Sequence, residues 1–226
     1  MASWMVHLRV AQAITSQHSA LCPREFIVGN IAPDSGVPNE DWSVFTPSTD
    51  ISHFKLRGAD GHRAVSVEKY ADKYLTSERY AAYDVQQRSF YLGYLCHLMT
   101  DVLWRREIFT ESVAHDREAY EADPMATVWK WKKDWYDLDF LYLREHPDFT
   151  AFGVYERAID FENVYMDEFS RDAFALRCRY ITAFYRDENE HGILDRDYPY
   201  LTRERMDAFV ESTAKVIGER IAAYGW

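Results

Sequence analysis

Turn-forming residues are scarce in this chain. Nine Gly and seven Pro in 226 residues come to about 7%, against roughly 12% in average proteins. Few turn-formers over this length mean few, long elements, and therefore helices. Cysteine is scarcer still. Cys22, Cys96 and Cys178 are odd in number and lack metal-type spacing, which excludes a disulfide framework and suits a reducing, cytoplasmic compartment. No apolar run reaches 18 residues, so nothing reads as a membrane span. The apolar side of the first helix is interrupted by His7, Arg9 and Gln12, which leaves no continuous core for a signal peptide. Positive charge is also in deficit: 26 Lys and Arg against 37 Asp and Glu give a net charge of −11. That balance excludes a general nucleic-acid surface and argues against stable association with anionic membranes.

What is present is apolar and aromatic. Hydrophobic residues make up 47% and charged residues 28%, a globular composition that excludes global disorder. The aromatics number 16 Tyr, 13 Phe and 7 Trp. Periodicity predicts helices over 4–18 with Ser3 as N-cap, 24–31 after Pro23, 67–76, 79–106, from Pro124 to Glu145, 161–186, and 203–223 with Thr202 as cap. The fold class is all-α: a helical bundle in one domain over 1–226. Its first half, about 1–106, holds the candidate site, and a helical half follows over about 107–226. Residues 32–64 form the one long irregular region, which at this length is either disordered or functional. Trp42, Phe45 and Phe54 within it favour an ordered, functional segment.

The longest predicted helix carries the chemistry. From Phe90 to Trp104 it is apolar on nearly every face, as the buried centre of a bundle is. His97 and Asp101 interrupt it four residues apart and project from one face. An ionised carboxylate in a dry helix must be paired or hold a metal. The pair therefore reads as metal ligands or as a buried His–Asp hydrogen bond. His7 lies on the dry stripe of the first helix, between Trp4 and Ala11. Asp34 and His53 stand in the long irregular region. Each of these three taken alone has a structural reading.

In order along the chain, Trp4-Met-Val-His7, then Gly29-Asn-Ile-Ala-Pro-Asp34, Ser52-His53-Phe54 and His97-Leu-Met-Thr-Asp101 resemble the bacterial zinc-dependent phospholipase C family, whose all-helical fold is shared with P1-type nucleases. The resemblance covers about residues 4–105. It implies that Asp34, His53, His97 and Asp101 hold one ion, with Asp101 bridging to a second held by His7. In the secreted members a leading Trp supplies amine and carbonyl ligands; here Met1-Ala2-Ser3 precede Trp4. No His-x-x-x-Glu follows for a third ion, so one or two divalent ions are expected. The donor set suits Zn²⁺, and also Fe, Mn or Ni.

The expected activity is hydrolysis of phosphate esters by metal-activated water, on a small soluble substrate, with Asp34 doubling as general base. The alternative is a non-catalytic helical protein with a structural metal or a His–Asp network that binds a partner. The aromatic run Trp129, Trp131, Trp135, Tyr136, Phe140 and Tyr142 reads as core, and Lys130, Lys132 and Lys133 as a solvated face.

Overall fold

The computed structural model describes residues 1–41, 43–58 and 61–225; Trp42, expected to help order the long segment, lies outside them. The fold is helical over 66% of its length, with two small two-stranded sheets. Helix α1 (Trp4–Gln17) starts where Ser3 accepts the Val6 N–H. Helix α2 (Pro23–Ile31) follows, with Pro23 at its first position. Helix α6 (Val85–Trp104) is the buried centre, with Phe90, Leu92, Tyr94, Leu95, Leu98 and Trp104 fully buried.

Helices α2 and α6 share the most extensive contact among the described elements, and two glycines let their backbones meet. A Cβ on Gly93 would meet the Phe26 carbonyl oxygen at 2.1 Å, and one on Gly29 would meet the Phe90 carbonyl oxygen at 2.2 Å. Any side chain at either position would drive the backbones apart. The end of α2 is thereby pressed onto the middle of α6, at the level of His97.

The described residues between 32 and 64 form short elements and no long helix. After a 3₁₀ turn at Ala32–Asp34, β1 (Val37–Pro38) pairs antiparallel with β2 (Phe45–Thr46). The short helix α3 (Thr49–Ser52) leads to β3 (Leu56–Arg57) and β4 (Arg63–Ala64), a second antiparallel ribbon. Phe54 turns the chain with φ of 51°. That left-handed backbone is unusual for a bulky residue, and the burial of its ring against Tyr70, Tyr74 and Tyr94 holds it.

Helices α4 (Val67–Tyr74) and α5 (Ser77–Ala82) precede α6. The helix expected over 79–106 is thus broken at Tyr83–Asp84. Asp84 accepts the Gln87 N–H at 2.8 Å while Gln87 accepts the Asp84 N–H at 3.0 Å, a capping box that restarts the chain as α6. A π-helical stretch at Arg105–Phe109 leads into α7 (Thr110–His115) and α8 (Arg117–Ala122). Asp123 caps α9 (Pro124–Glu145), and α10 (Thr150–Glu156) follows.

The helix expected over 161–186 forms only as α11 (Ala173–Arg186). Ahead of it Asn163 competes with helix: its amide donates to the Met166 and Phe169 carbonyls at 2.7 and 2.9 Å, and its oxygen accepts two backbone N–H groups. Phe161, Met166 and Phe169 are buried, so their spacing imitates a helix without making one. Helix α12 (Arg203–Ala222), capped by Thr202, packs along α1. No helix among the described residues is long and apolar enough to cross a membrane.

Candidate metal centre

Four elements converge on one buried point. His7 comes from α1, Asp34 from the turn after α2, His53 from the end of α3, and His97 with Asp101 from α6. His7, His53 and His97 are fully buried, and Asp101 is 3% exposed. His97 Nε2 lies 3.3 Å from His53 Nε2, 3.7 Å from Asp101 Oδ2 and 4.0 Å from Asp34 Oδ1. His53 Nε2 lies 3.4 Å from Asp34 Oδ1 and 3.6 Å from Asp101 Oδ2. Four ligands around a tetrahedral zinc, each about 2.0–2.1 Å from it, stand about 3.3 Å apart. The five spacings begin at that edge length and exceed it by less than an ångström.

The protons are arranged to match. His97 Nδ1 is 2.7 Å from the Asn30 carbonyl oxygen. A carbonyl only accepts, so Nδ1 carries the hydrogen and Nε2 presents a lone pair to the centre. Burial pushes the His97 imidazole down to about 3, and the neighbouring His7 adds to the shift, so the ring is neutral at physiological pH. His53 Nδ1 meets the Ser52 hydroxyl at 3.0 Å, and the Ser52 carbonyl takes the Tyr94 hydroxyl from α6. Burial alone would raise the Asp34 carboxyl. The His53 hydrogen bond and the nearby His97 outweigh it and hold Asp34 below the usual carboxylate range. Trp4 Nε1 donates to Asp34 Oδ2 at 2.9 Å and leaves Oδ1 facing the histidines.

His7 stacks flat on His97, with centroids 3.8 Å apart and planes 2° from parallel. Its Nε2 is 3.5 Å from Asp101 Oδ1, the oxygen that also accepts the Ala2 N–H at 3.0 Å. Two donor sets could hold an ion, His7–His97–Asp101 and Asp34–His53–His97.

Both His7 nitrogens and Asp101 Oδ2 are buried without a hydrogen-bond partner among the described residues. Buried polar atoms are almost always satisfied, and a divalent cation is a partner that one nitrogen of the His7 ring and the Asp101 carboxylate can share. The donors present therefore fit the ion that the family implies.

A pocket of about 310 Å³ opens beside the cluster. Asp34 reaches it, as do Trp4, Phe45, Trp135, Tyr136, Lys132, Arg177 and Tyr180. The aromatic run of α9 is thus divided: Trp131 and Phe140 are core, Trp135 is buried and also lines the pocket, and Trp129 is 61% exposed. Lys132 belongs to the pocket and not to a purely solvated face; Lys133 pairs with Asp137 at 2.8 Å. Sequence reasoning missed Arg177 and Tyr180, which no motif marks. Their i, i+3 spacing, which puts both on one face of α11, was the only available signal. Cys96, beside His97, is fully buried, and burial pushes its thiol up to about 12, which makes it a small core residue.

No curated protein and no solved structure matches the chain. The family model described as zinc-dependent phospholipase C matches residues 6–216, a span that includes His7, Asp34, His53, His97 and Asp101, and the chain belongs to that family.

Proposed function

We propose that this protein is a metal-dependent hydrolase of phosphate esters, with Asp34, His53, His97 and Asp101 as ligands of one divalent ion, most suitably zinc. His7 with Asp101 offers the place for a second ion. The observation that carries the reading is the convergence of these buried donors beside an open pocket that one of them, Asp34, reaches. A structural zinc site is closed by its protein ligands, whereas a catalytic one keeps a position for water or substrate. Four protein donors would fill a tetrahedral zinc, so catalysis here requires a fifth position on the pocket side, beside Asp34; the open pocket supplies room for it and so favours catalysis over an inert scaffold.

When bound, the ion would supply a Lewis acid that activates water near neutral pH and offsets negative charge on the phosphate. Asp34 is the one carboxylate among the described residues lining the pocket. It is held ionised, with Oδ2 anchored by the Trp4 N–H; on this reading Oδ2, the oxygen turned away from the histidines, would take the proton of the attacking water.

A small water-soluble ester suits this chain better than an intact bilayer, because a net charge of −11 repels anionic lipid surfaces. The test is zinc per chain in protein purified without chelator, followed by turnover of chromogenic phosphate mono- and diesters before and after chelation. Zinc-dependent turnover is the expected result. Stoichiometric zinc with no turnover of any ester would leave a structural metal site and overturn the reading.

A further inference from the structure

Two helices turn one face each toward the pocket. Helix α9 supplies Lys132, Trp135 and Tyr136, and α11 supplies Arg177 and Tyr180. Lys132 and Arg177 are the cationic side chains among the described lining residues, and neither forms an ion pair with any described carboxylate. Arg177 is 8% exposed. Its recorded hydrogen bond goes to the Gly36 carbonyl oxygen at 2.7 Å, which leaves most of a five-donor guanidinium unspent. Its charge rests 6.0 Å from the Trp4 ring and 5.4 Å from the Tyr180 ring. The half-buried Lys132 lies 4.7 Å over the Trp129 ring. Burial lowers its ammonium pKa, with Asp34 opposing the shift.

A buried cation without a counter-charge is costly unless something anionic completes it. Asp34 is not free to do so, because its two oxygens are turned to the histidines and to Trp4. The same geometry works against cationic ligands. Aromatic walls can cradle an ammonium group, but Arg177 already faces two of these rings, and Lys132 adds a like charge.

We propose that Lys132 and Arg177 form an anion-binding wall in this pocket. The substrates are then phosphate esters bearing negative charge beyond that of a single diester, and amine-bearing, zwitterionic esters are disfavoured. This inference rests on the hydrolase reading and adds the substrate class to it.

The test compares zinc-loaded wild type with Lys132→Ala and Lys132→Glu on p-nitrophenyl phosphate, a dianion, and p-nitrophenyl phosphorylcholine, a zwitterion. A charge-assisted contact of this kind is worth about tenfold. The wild type should prefer the dianion in kcat/KM. That preference should fall about tenfold in Lys132→Ala and further in Lys132→Glu, with zinc per chain equal in all three. An unchanged preference in active variants would overturn the anion wall and leave the hydrolase reading standing. Should the wild type hydrolyse neither ester, tryptophan fluorescence titration with glycerol 3-phosphate still decides the wall. Saturable quenching lost in Lys132→Glu supports it, and equal quenching in both proteins rejects it. Because Arg177 also supports Gly36, Arg177→Lys is its companion variant; it keeps the charge and should retain the preference for the dianion.

Discussion

His97 and Asn30 are joined by a single contact that sets up the centre: the Asn30 carbonyl oxygen lies 2.7 Å from His97 Nδ1. One end of the imidazole is thereby committed to α2, and the other is left as a lone pair among His53, Asp34 and Asp101. His97→Ala should lose both. Bound zinc should fall well below one per chain, because the ring belongs to both candidate donor sets. Stability should drop by about 3 kcal/mol as the buried Asp101 loses a partner. Metal analysis and thermal unfolding read the two effects separately. A variant with wild-type zinc content would show that the ligand set is misassigned.

The members of the cluster were legible in the sequence because dry helices rarely carry ionisable residues. His97 and Asp101 stood out on α6 for that reason, and the bundle's central helix with them. Asp34 and His53 were legible only through their order with the others, since a turn Asp and a loop His are individually ordinary. What stayed hidden depends on side-chain competition and on approach in space. Asn163 ties down a loop whose aromatic spacing resembles a helix, and Asp84 with Gln87 cuts one expected helix in two. The pocket wall was hidden for the second reason: Arg177 lies 141 residues from its partner Gly36.

Removing the metal should expose how much the fold depends on it. The buried His7 nitrogens and Asp101 Oδ2 have no other hydrogen-bond partner. A ligand held at a thousand times its Kd stabilises the native state by about 4 kcal/mol, and in a chain of this size that corresponds to about 10 °C in Tm. Calorimetry should show such a fall on chelation and recovery when zinc is restored. A Tm indifferent to chelator would mark the cluster as a polar network that holds no ion.

Gly93 should tolerate no side chain. Alanine is the better helix former by about 1 kcal/mol, so an exposed site would gain from the change. Here the added Cβ would sit 2.1 Å from the Phe26 carbonyl oxygen, and overpacking of this kind costs about 1–3 kcal/mol or more. The separation of α2 from α6 would also pull Asn30 from His97, and loss of such an outer contact costs about 10–100-fold in metal affinity. Gly93→Ala should therefore bind zinc more weakly as well as melt earlier. Unchanged affinity in a destabilised variant would uncouple the helix crossing from the centre.

Trp129 gives the sharpest check on the preference for soluble esters. Its ring is 61% exposed and carries the Lys132 ammonium over it, and an exposed Trp beside a cation can enter a membrane interface. The expected outcome is that the protein stays in the supernatant with both zwitterionic and anionic vesicles. Cosedimentation with anionic vesicles that disappears in Trp129→Ala would replace the soluble substrate with a lipid one.

Asp139 should tie stability to pH. It is buried on α9, where it accepts the Ser3 hydroxyl at 2.8 Å and the Tyr185 hydroxyl at 2.7 Å. Burial pushes its carboxyl up to about 7, against the opposing pull of Tyr185, Ser3 and Arg9. A carboxyl raised in the fold keeps its proton where the unfolded chain has already released it. Its contribution to stability is therefore fully present below about pH 4, where both states are protonated. It declines as pH rises from there to about 7 and is level above, for a total on the order of 4 kcal/mol. Asp139→Asn cannot ionise and should lack this slope. The substitution also costs an acceptor for one of the two hydroxyls, a fixed offset, so the informative quantity is the change in the Tm difference between the two proteins. From pH 5 to pH 8 the variant should gain on the wild type by several degrees. A constant difference across that range would show that Asp139 titrates as an ordinary carboxylate.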